Sequence, residues 1–332
     1  MARVTLPEVA ELAGVSIATV SRVLNGLPAK QETRTRVLAA AAELDYVADS
    51  SARSLRAGTS DQIAFAVPDV GNPVYVQTMH AVEKVVSQAG KRLVLSSTGP
   101  DPDALVDLLR SLNRGYADGL VLTPLRMNDA LVEALRSSRV PIAVVGTIPE
   151  DLPIDSVRAD SRAGIRLAVD HLRSLGRRSI AFIGGPVDTG PGAARLAGYL
   201  DAMSSQPANP ELLVFADDFT HRAGRAAAEA LLDQASPDAI ICANDLLAVG
   251  ALHTLRRRGL SAPDDIALVG MDNTDAARLA APSITSVKLR SARRARVAAD
   301  LLMARIADPD RPVQHLVIEP GLAVRESTAG LE

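Results

Sequence analysis

Apolar positions in the first fifty residues recur at helical spacing in short bursts. Val9, Leu12 and Ala13 form one stripe, stopped by Gly14, and Val20, Val23 and Leu24 form a second. Thr5 and Glu8 have the S/T-x-x-E spacing of a capping box, so a first helix begins at Thr5, and Ser16 is a good N-cap for the next. On that second helix Ile17, Ala18, Ser21 and Arg22 point away from the apolar stripe. Two helices across a short glycine turn make either an αα-hairpin or a helix-turn-helix, and spacing alone leaves both open. In the second case the outward residues of the second helix meet base edges in the major groove.

From residue 62 the pattern changes to short β-branched runs alternating with amphipathic helices. The expected order is strand 62–68, helix 73–89, strand 92–97, helix 102–113, strand 119–123, helix 128–137 and strand 140–145. A second series follows: helix 161–175, strand 179–183, helix 191–204, strand 211–216, helix 220–234, strand 238–242, helix 245–258 and strand 265–269. Such a rhythm predicts parallel sheets with helices on both faces, and two series predict two Rossmann-like lobes. Five apolar runs end in polar residues: at Asp69, at Asp160, at Asp217 and Asp218, at Asn244 and Asp245, and at Asp272. Ligands of open α/β sheets bind outside the carboxyl ends of the strands, so these residues would rim a cleft suited to a hydroxyl-rich ligand. Each of them could equally cap the helix that follows. The five together favour a site.

Composition narrows the classes. The chain has 332 residues, 36 basic against 39 acidic, and residues 1–60 hold seven Lys/Arg against six Asp/Glu, a difference of +1. The usual basic footprint of a nucleic-acid binder is missing, so phosphate contacts would come largely from hydroxyls, backbone N–H groups and helix N-termini. Thr5, Ser16, Thr19, Ser21 and Asn25 are candidates, with Arg22, Arg34 and Arg53. A headpiece of this charge binds weakly alone, which calls for a homodimer and hence a palindromic site. The single cysteine, Cys242, excludes a disulfide framework and fits a reducing compartment. No apolar signal core and no membrane-length apolar run is visible, which predicts a cytoplasmic protein with no membrane contact. The five His residues lack metal-ligand or triad spacing, and IGGPVDTG at 183–190 lacks the G-x-G-x-x-G spacing of a dinucleotide site. No enzyme, cofactor or metal is expected. RRAR at 293–296 reads as a solvated helix face.

Residues 4–25 resemble the headpiece of the LacI/GalR (lactose-repressor) family through VTL-x-x-VA-x-x-AGVS-x-x-TVSRVLN, and the similarity continues through TRTRV (33–37), AAAELDY (40–46) and ARSLRAG (52–58). The resemblance favours the helix-turn-helix reading. It implies an N-terminal all-α helix-turn-helix headpiece plus an α/β periplasmic-binding-protein-like body, divided as 1–48 headpiece, 49–60 hinge, 61–160 plus 290–318 first lobe, and 161–289 plus 319–330 second lobe. Leu6 and Ala52 join the DNA-binding candidates by the same route. Leu55, in a hinge helix too short to be stable alone, would wedge into the minor groove and kink the operator. In the body, Arg195 of AARLAGY matches an effector-contacting arginine, Asn244 and Asp272 match the A-N-D and G-[FY]-D motifs, and Asp69, Asn72 and Tyr75 match P-D-x-x-N-P-x-[FY]. Asp160 joins them from its strand end. The chain has no Trp, four Tyr and four Phe, so Phe219 and Tyr75 are nearly the only rings available to stack on a sugar.

Departures from the family pattern carry information as well. Ile17 and Ala18 stand at the positions that discriminate operators and can touch thymine methyls but make no bidentate contact, which leaves Arg22 as the main hydrogen-bonding reader. Lys30 replaces a capping Ser, Met271 an aromatic residue and Gly146 an acidic one. The expected function is a DNA-binding transcriptional regulator, of the repressor type, that binds double-stranded operator DNA as a dimer. A small polar effector, a sugar, nucleoside or related metabolite, gates that binding through a coupling free energy of about 1–3 kcal/mol. The absence of a heptad tail after REST (325–328) predicts a dimer without tail-mediated tetramers. The alternative is a solute-binding protein of the same two-lobed fold, which would have no use for residues 1–58.

Overall fold

Gly14 and Ser16 set the course of the N-terminal unit. In the computed structural model, which describes residues 4–24, 26–46, 59–204 and 209–329, α1 spans Leu6–Ala13, α2 Ile17–Leu24 and α3 Gln31–Glu43. The Glu8 carboxylate accepts from the Thr5 backbone N–H at 2.7 Å and from its hydroxyl at 2.8 Å. Gly14, at φ +61°, ends α1 in the left-handed conformation that glycine adopts at least cost. The Thr19 N–H then donates to Ser16 Oγ at 3.2 Å and starts α2. Val9, Ala10, Ala13, Val20 and Val23 pack on Val37, Ala40 and Ala41 of α3. Leu12 departs from the expected stripe, being 47% exposed. At about 100° per residue the inward face is centred on Ala13, which brings in Val9 and Ala10 and leaves Leu12 well round the helix.

The chain divides into two compact units between Ser60 and Asp61. Among its described residues the second carries two six-stranded sheets. In its first half β1 (Gln62–Val67), β2 (Arg92–Ser97), β3 (Gly119–Leu122), β4 (Ile142–Val145) and β5 (Asp155–Ala159) alternate with α4 (Pro73–Gln88), α5 (Pro102–Leu112) and α6 (Asp129–Arg136). Next come α7 (Ser161–Ser174), β6 (Ile180–Gly184), α8 (Gly190–Met203), β7 (Leu213–Phe215), α9 (His221–Gln234), β8 (Ala239–Cys242), α10 (Asp245–Arg257), β9 (Ala267–Met271), α11 (Asp275–Leu279) and β10 (Thr285–Lys288). The C-terminal segment adds α12 (Ser291–Ala307), β11 (His315–Ile318), β12 (Gly321–Ala323) and α13 (Glu326–Ala329).

The first sheet runs β11-β5-β4-β3-β1-β2 and the second β12-β10-β9-β8-β6-β7; every pairing is parallel except β10 with β12. Among the described residues the chain passes between the sheets three times, after β5, after β10 and after β11. Leu105, Leu109, Leu131 and Leu135 of α5 and α6 cover one face of the first sheet, while Val82, Val86, Ala298 and Leu302 of α4 and α12 cover the other. The second sheet is enclosed in the same way, with Ile165 and Leu172 of α7 and Leu231, Leu247 and Leu255 of α9 and α10 in its core. Arg305 fastens α12 to β5 by donating from Nε and Nη2 to Asp155 Oδ2 at 3.1 and 3.0 Å, with Asp155 fully buried. The run expected as strand 211–216 is shorter, because Asn209 and Pro210 start a 3-10 turn that ends only at Leu212.

Candidate functional site

The N-terminal unit presents Ile17, 49% exposed, together with Ala18 and Arg22 on the open side of α2. Thr19 and Ser21 are half-buried beside them, and Ser16 and Arg34 are exposed. One donor of Arg22, Nη2, is engaged by the Pro28 carbonyl at 3.2 Å, which ties the guanidinium to the loop after α2. The Thr5 hydroxyl donates to Glu8 within the capping box of α1, and Leu6 is half-buried against the headpiece core. Asn25, Ala52, Arg53 and Leu55 lie outside the described residues.

In the second unit the carboxyl ends of both sheets face each other across a cavity of about 660 Å³, within the range of small-molecule sites. Asn72, Tyr75, Asp160, Arg195, Phe219, Asn244 and Asp272 all line it. Asp69 does not: it is exposed, and its carboxylate accepts the Gly71 N–H at 2.7 Å, tightening the turn before α4. Asp217 and Asp218 are likewise exposed. At these two of the five strand ends the carboxylates neither line the cavity nor cap the next helix, since Asn72 and Thr220 are the N-caps of α4 and α9. At Asp160 and Asn244 capping and cleft lining coexist: Asp160 accepts from the Ala163 N–H at 2.9 Å, and Asn244 accepts from Leu247 N–H at 2.8 Å while donating to the Phe219 carbonyl at 3.1 Å.

Arg195 organises the floor. Its Nη1 donates to the Ala243 carbonyl at 2.6 Å, its Nη2 to Asp272 Oδ1 at 3.2 Å, and its guanidinium lies 5.8 Å from the centre of the Phe219 ring. Both members of the ion pair are buried, and Arg195 Nε has no hydrogen-bond partner among the described residues. Burial raises the Asp272 carboxyl above its usual range despite the opposing pull of Arg195 and Arg294. Asp272 holds φ +104° and Asn273 φ +55°, a strained pair fixed by Asp272 N–H to the Val287 carbonyl and Asn273 N–H to Ser286 Oγ, both at 2.9 Å. Beneath them Asp245 accepts from Thr274 N–H, Thr274 Oγ1 and Ser286 Oγ at 2.6, 2.8 and 2.6 Å. Burial, with the Asp272 charge behind it, pushes Asp245 up to about 7 against those donors. Burial also drives the Tyr75 hydroxyl upward, with Asp272 the next cause.

The glycines of IGGP have a spatial reason. A Cβ at Gly185 would stand 2.2 Å from the Phe219 ring, and one at Gly184 would stand 2.8 Å from Phe215. They admit the two aromatic rings. At the mouth, Arg126 of the first lobe donates to Asp188 of the second at 2.7 and 3.2 Å, and Gly190 N–H donates to the Leu125 carbonyl at 3.1 Å.

Sequence reasoning missed Arg294. Arg293 and Arg296 of RRAR are exposed as expected, but Arg294 is partly buried, lines the cavity, and donates from Nε to the Leu289 carbonyl at 2.9 Å and from Nη2 to Ser291 Oγ at 3.2 Å. Burial lowers its pKa to about 10, with Asp272 opposing. The available signal was periodicity: Arg294 falls on the same side of α12 as the buried Ala298 and Leu301.

A unit with three helices among its described residues and an exposed face on α2, joined in sequence to a two-lobed body with a polar cleft, defines a transcriptional regulator with a ligand-binding body. The profile described as "Bacterial regulatory proteins, lacI family" matches residues 5–49, and that described as "Periplasmic binding protein-like domain" matches residues 169–328. The chain is 33% identical to the HTH-type transcriptional regulator DegA of Bacillus subtilis (strain 168) over 338 residues, 99% of each chain. Its fold is similar to the lac repressor dimer bound to operator and the anti-inducer ONPF, with TM-score 0.86 at 27% identity over 98% of this chain and 99% of that one. It is also similar to a complex of the transcriptional regulator CelR with cellobiose, with TM-score 0.74 at 34% identity over 98% and 100% of the two chains. The chain belongs to the LacI family of bacterial regulatory proteins. Among its described residues no helix is long and apolar enough to cross a membrane.

Proposed function

We propose that this protein represses transcription by binding a palindromic operator as a homodimer, through Ile17, Ala18 and Arg22 of α2, and that a small polar effector in the body cleft controls that binding. The observation that carries the reading is the cavity of about 660 Å³ lined by seven of the eight residues named for it from sequence. It combines hydroxyl acceptors (Asp160, Asp272), donors (Asn72, Arg195) and two aromatic rings (Tyr75, Phe219), the set a hydroxylated ligand requires. Its similarity to CelR, solved with cellobiose, supports the ligand class. The protein acts by binding and not by turnover, in the cytoplasm. The effector shifts the balance between two arrangements of the lobes by its difference in affinity for them, and the ion pair of Arg126 with Asp188 belongs to one of those arrangements.

The test is fluorescence anisotropy with the palindromic DNA upstream of the protein's own coding region, at fixed salt, across a panel of sugars and nucleosides. One compound should change operator affinity by about five- to 150-fold. Specific DNA binding that no compound alters, by a protein that binds none of them, would refute the effector role of the cleft.

A further inference from the structure

The charged groups of the cleft are not balanced. Asp188 is paired with Arg126, Arg162 with Asp201 at 3.5 Å, and Arg195 with Asp272. Arg294 has no ion pair among the described residues; two of its nitrogens are anchored to Leu289 and Ser291, which fixes the guanidinium and leaves Nη1 for a ligand. At the floor Asp272 faces both Arg195 and Arg294, and Arg158 and Asp160, one charge of each sign elsewhere in the lining, leave that excess of one positive charge unchanged. Four helices, α4, α7, α8 and α10, also begin at the cavity, since their N-caps Asn72, Asp160, Thr189 and Asn244 all line it. Each adds the positive end of a helix dipole. Arg195, nine-tenths buried, keeps Nε without a partner in the same place.

We propose that the effector is a polyhydroxylated anion, a sugar acid or a sugar phosphate, whose charged group is held by Arg294 together with Arg195 while Asp160 and Asp272 accept its hydroxyls. The proposal rests on the reading of the cleft as the effector site. A neutral sugar would leave the second guanidinium unpaired in a partly desolvated place, whereas a carboxylate or phosphate oxygen completes it with a charge-assisted hydrogen bond.

The experiment is calorimetric titration of the full chain, at fixed pH and ionic strength, with matched sets: neutral aldoses, the corresponding aldonates and the corresponding aldose phosphates, with inorganic phosphate as the bare anion. At least one anion should bind ten times more tightly than its neutral parent. Arg294→Leu should abolish that advantage, Arg294→Lys should keep part of it, and circular dichroism should show both variants folded. Aldonate against phosphate identifies the source of the charge. Should Arg294→Leu unfold, Arg294→Lys and Arg294→Gln carry the comparison: charge retention should preserve anion binding and charge removal should lose it. A neutral sugar that binds as well as its anions, depends on Phe219 and ignores Arg294 would overturn this inference and leave the effector site standing. Failure of every compound, charged or neutral, to bind would overturn both.

Discussion

Replacing Arg195 by Met removes the guanidinium and keeps most of the volume. The loss leaves Asp272 buried without the partner that now sits 3.2 Å away, and it leaves the Ala243 carbonyl without its donor. Breaking a buried pair on one side costs about 3–5 kcal/mol. Two features reduce this here: Arg294 remains close enough to favour the Asp272 charge, and Asp272, already raised by burial, escapes by taking up a proton. The expected cost near pH 8 is therefore about 2–3 kcal/mol, a fall in melting temperature of about 5 °C for a body of this size. Removing Arg195 raises the folded-state pKa of Asp272 further above its unfolded value. A group shifted in that direction contributes stability at low pH and loses it as pH rises through the folded value. The penalty of Arg195→Met should accordingly shrink from pH 8 to pH 5. Scanning calorimetry of wild type, Arg195→Met, Asp272→Asn and the double variant at both pH values checks this, with a coupling of about 1 kcal/mol or more expected at pH 8. Additive single effects, or a penalty that grows toward pH 5, would refute the assignment of a functioning buried pair.

Phe219→Ala should weaken effector binding about tenfold or more, and Gly185→Ala should do the same by displacing the ring it now admits; titration calorimetry reads both, and unchanged affinities would remove Phe219 from the site. Arg22→Ala should cost about 1–3 kcal/mol of operator binding at fixed salt, and anisotropy with operators altered one base pair at a time should show the specificity relaxed at one position only. For Asp245, raised to about 7 in the folded protein against its ordinary 3.8, the sign is that of a group favouring the protonated folded state. Its contribution to stability is present below about pH 4 and declines up to about 7. Asp245→Asn should flatten that decline in denaturation curves, whatever its overall cost.

Much of the architecture was legible because burial on two faces writes itself into sequence. IAFAV at 63–67 and AIIC at 239–242 are uninterrupted apolar runs, and a central parallel strand is the simplest element that needs one. The headpiece was readable from the spacing of Thr5, Glu8, Gly14 and Ser16, since caps act over three or four residues. Edge strands were harder to see. β11, with its alternating pattern, and β12 bury too little to stand out, and they take their places from partners about 160 and 37 residues away, as in the pairs His315 with Ser156 and Ser286 with Ala323.

The cleft separates what a local pattern can decide from what it cannot. Asp69 and Asp160 both follow a strand and both satisfy a backbone N–H a few residues on, so the same short-range bond is consistent with an exposed turn and with a ligand site. What distinguishes them is whether another sheet's carboxyl edge stands opposite, and that depends on the crossings after β5, β10 and β11. Arg294 shows the same limit more sharply. RRAR offers three arginines within four residues, and a guanidinium on a helix is usually solvated; only the return of α12 to the first sheet, with Leu289 and Ser291 holding the side chain inward, turns one of the three toward Asp272. The charge that gives this cleft its preference therefore comes from a segment whose composition reads as surface and whose periodicity alone marks Arg294 as inward, and from a topology that joins residues far apart in the chain. A variant such as Arg294→Leu consequently tests specificity where Arg195→Met tests the frame of the site: the first should change which ligand binds with little change in melting temperature, and the second should lower both affinity and stability.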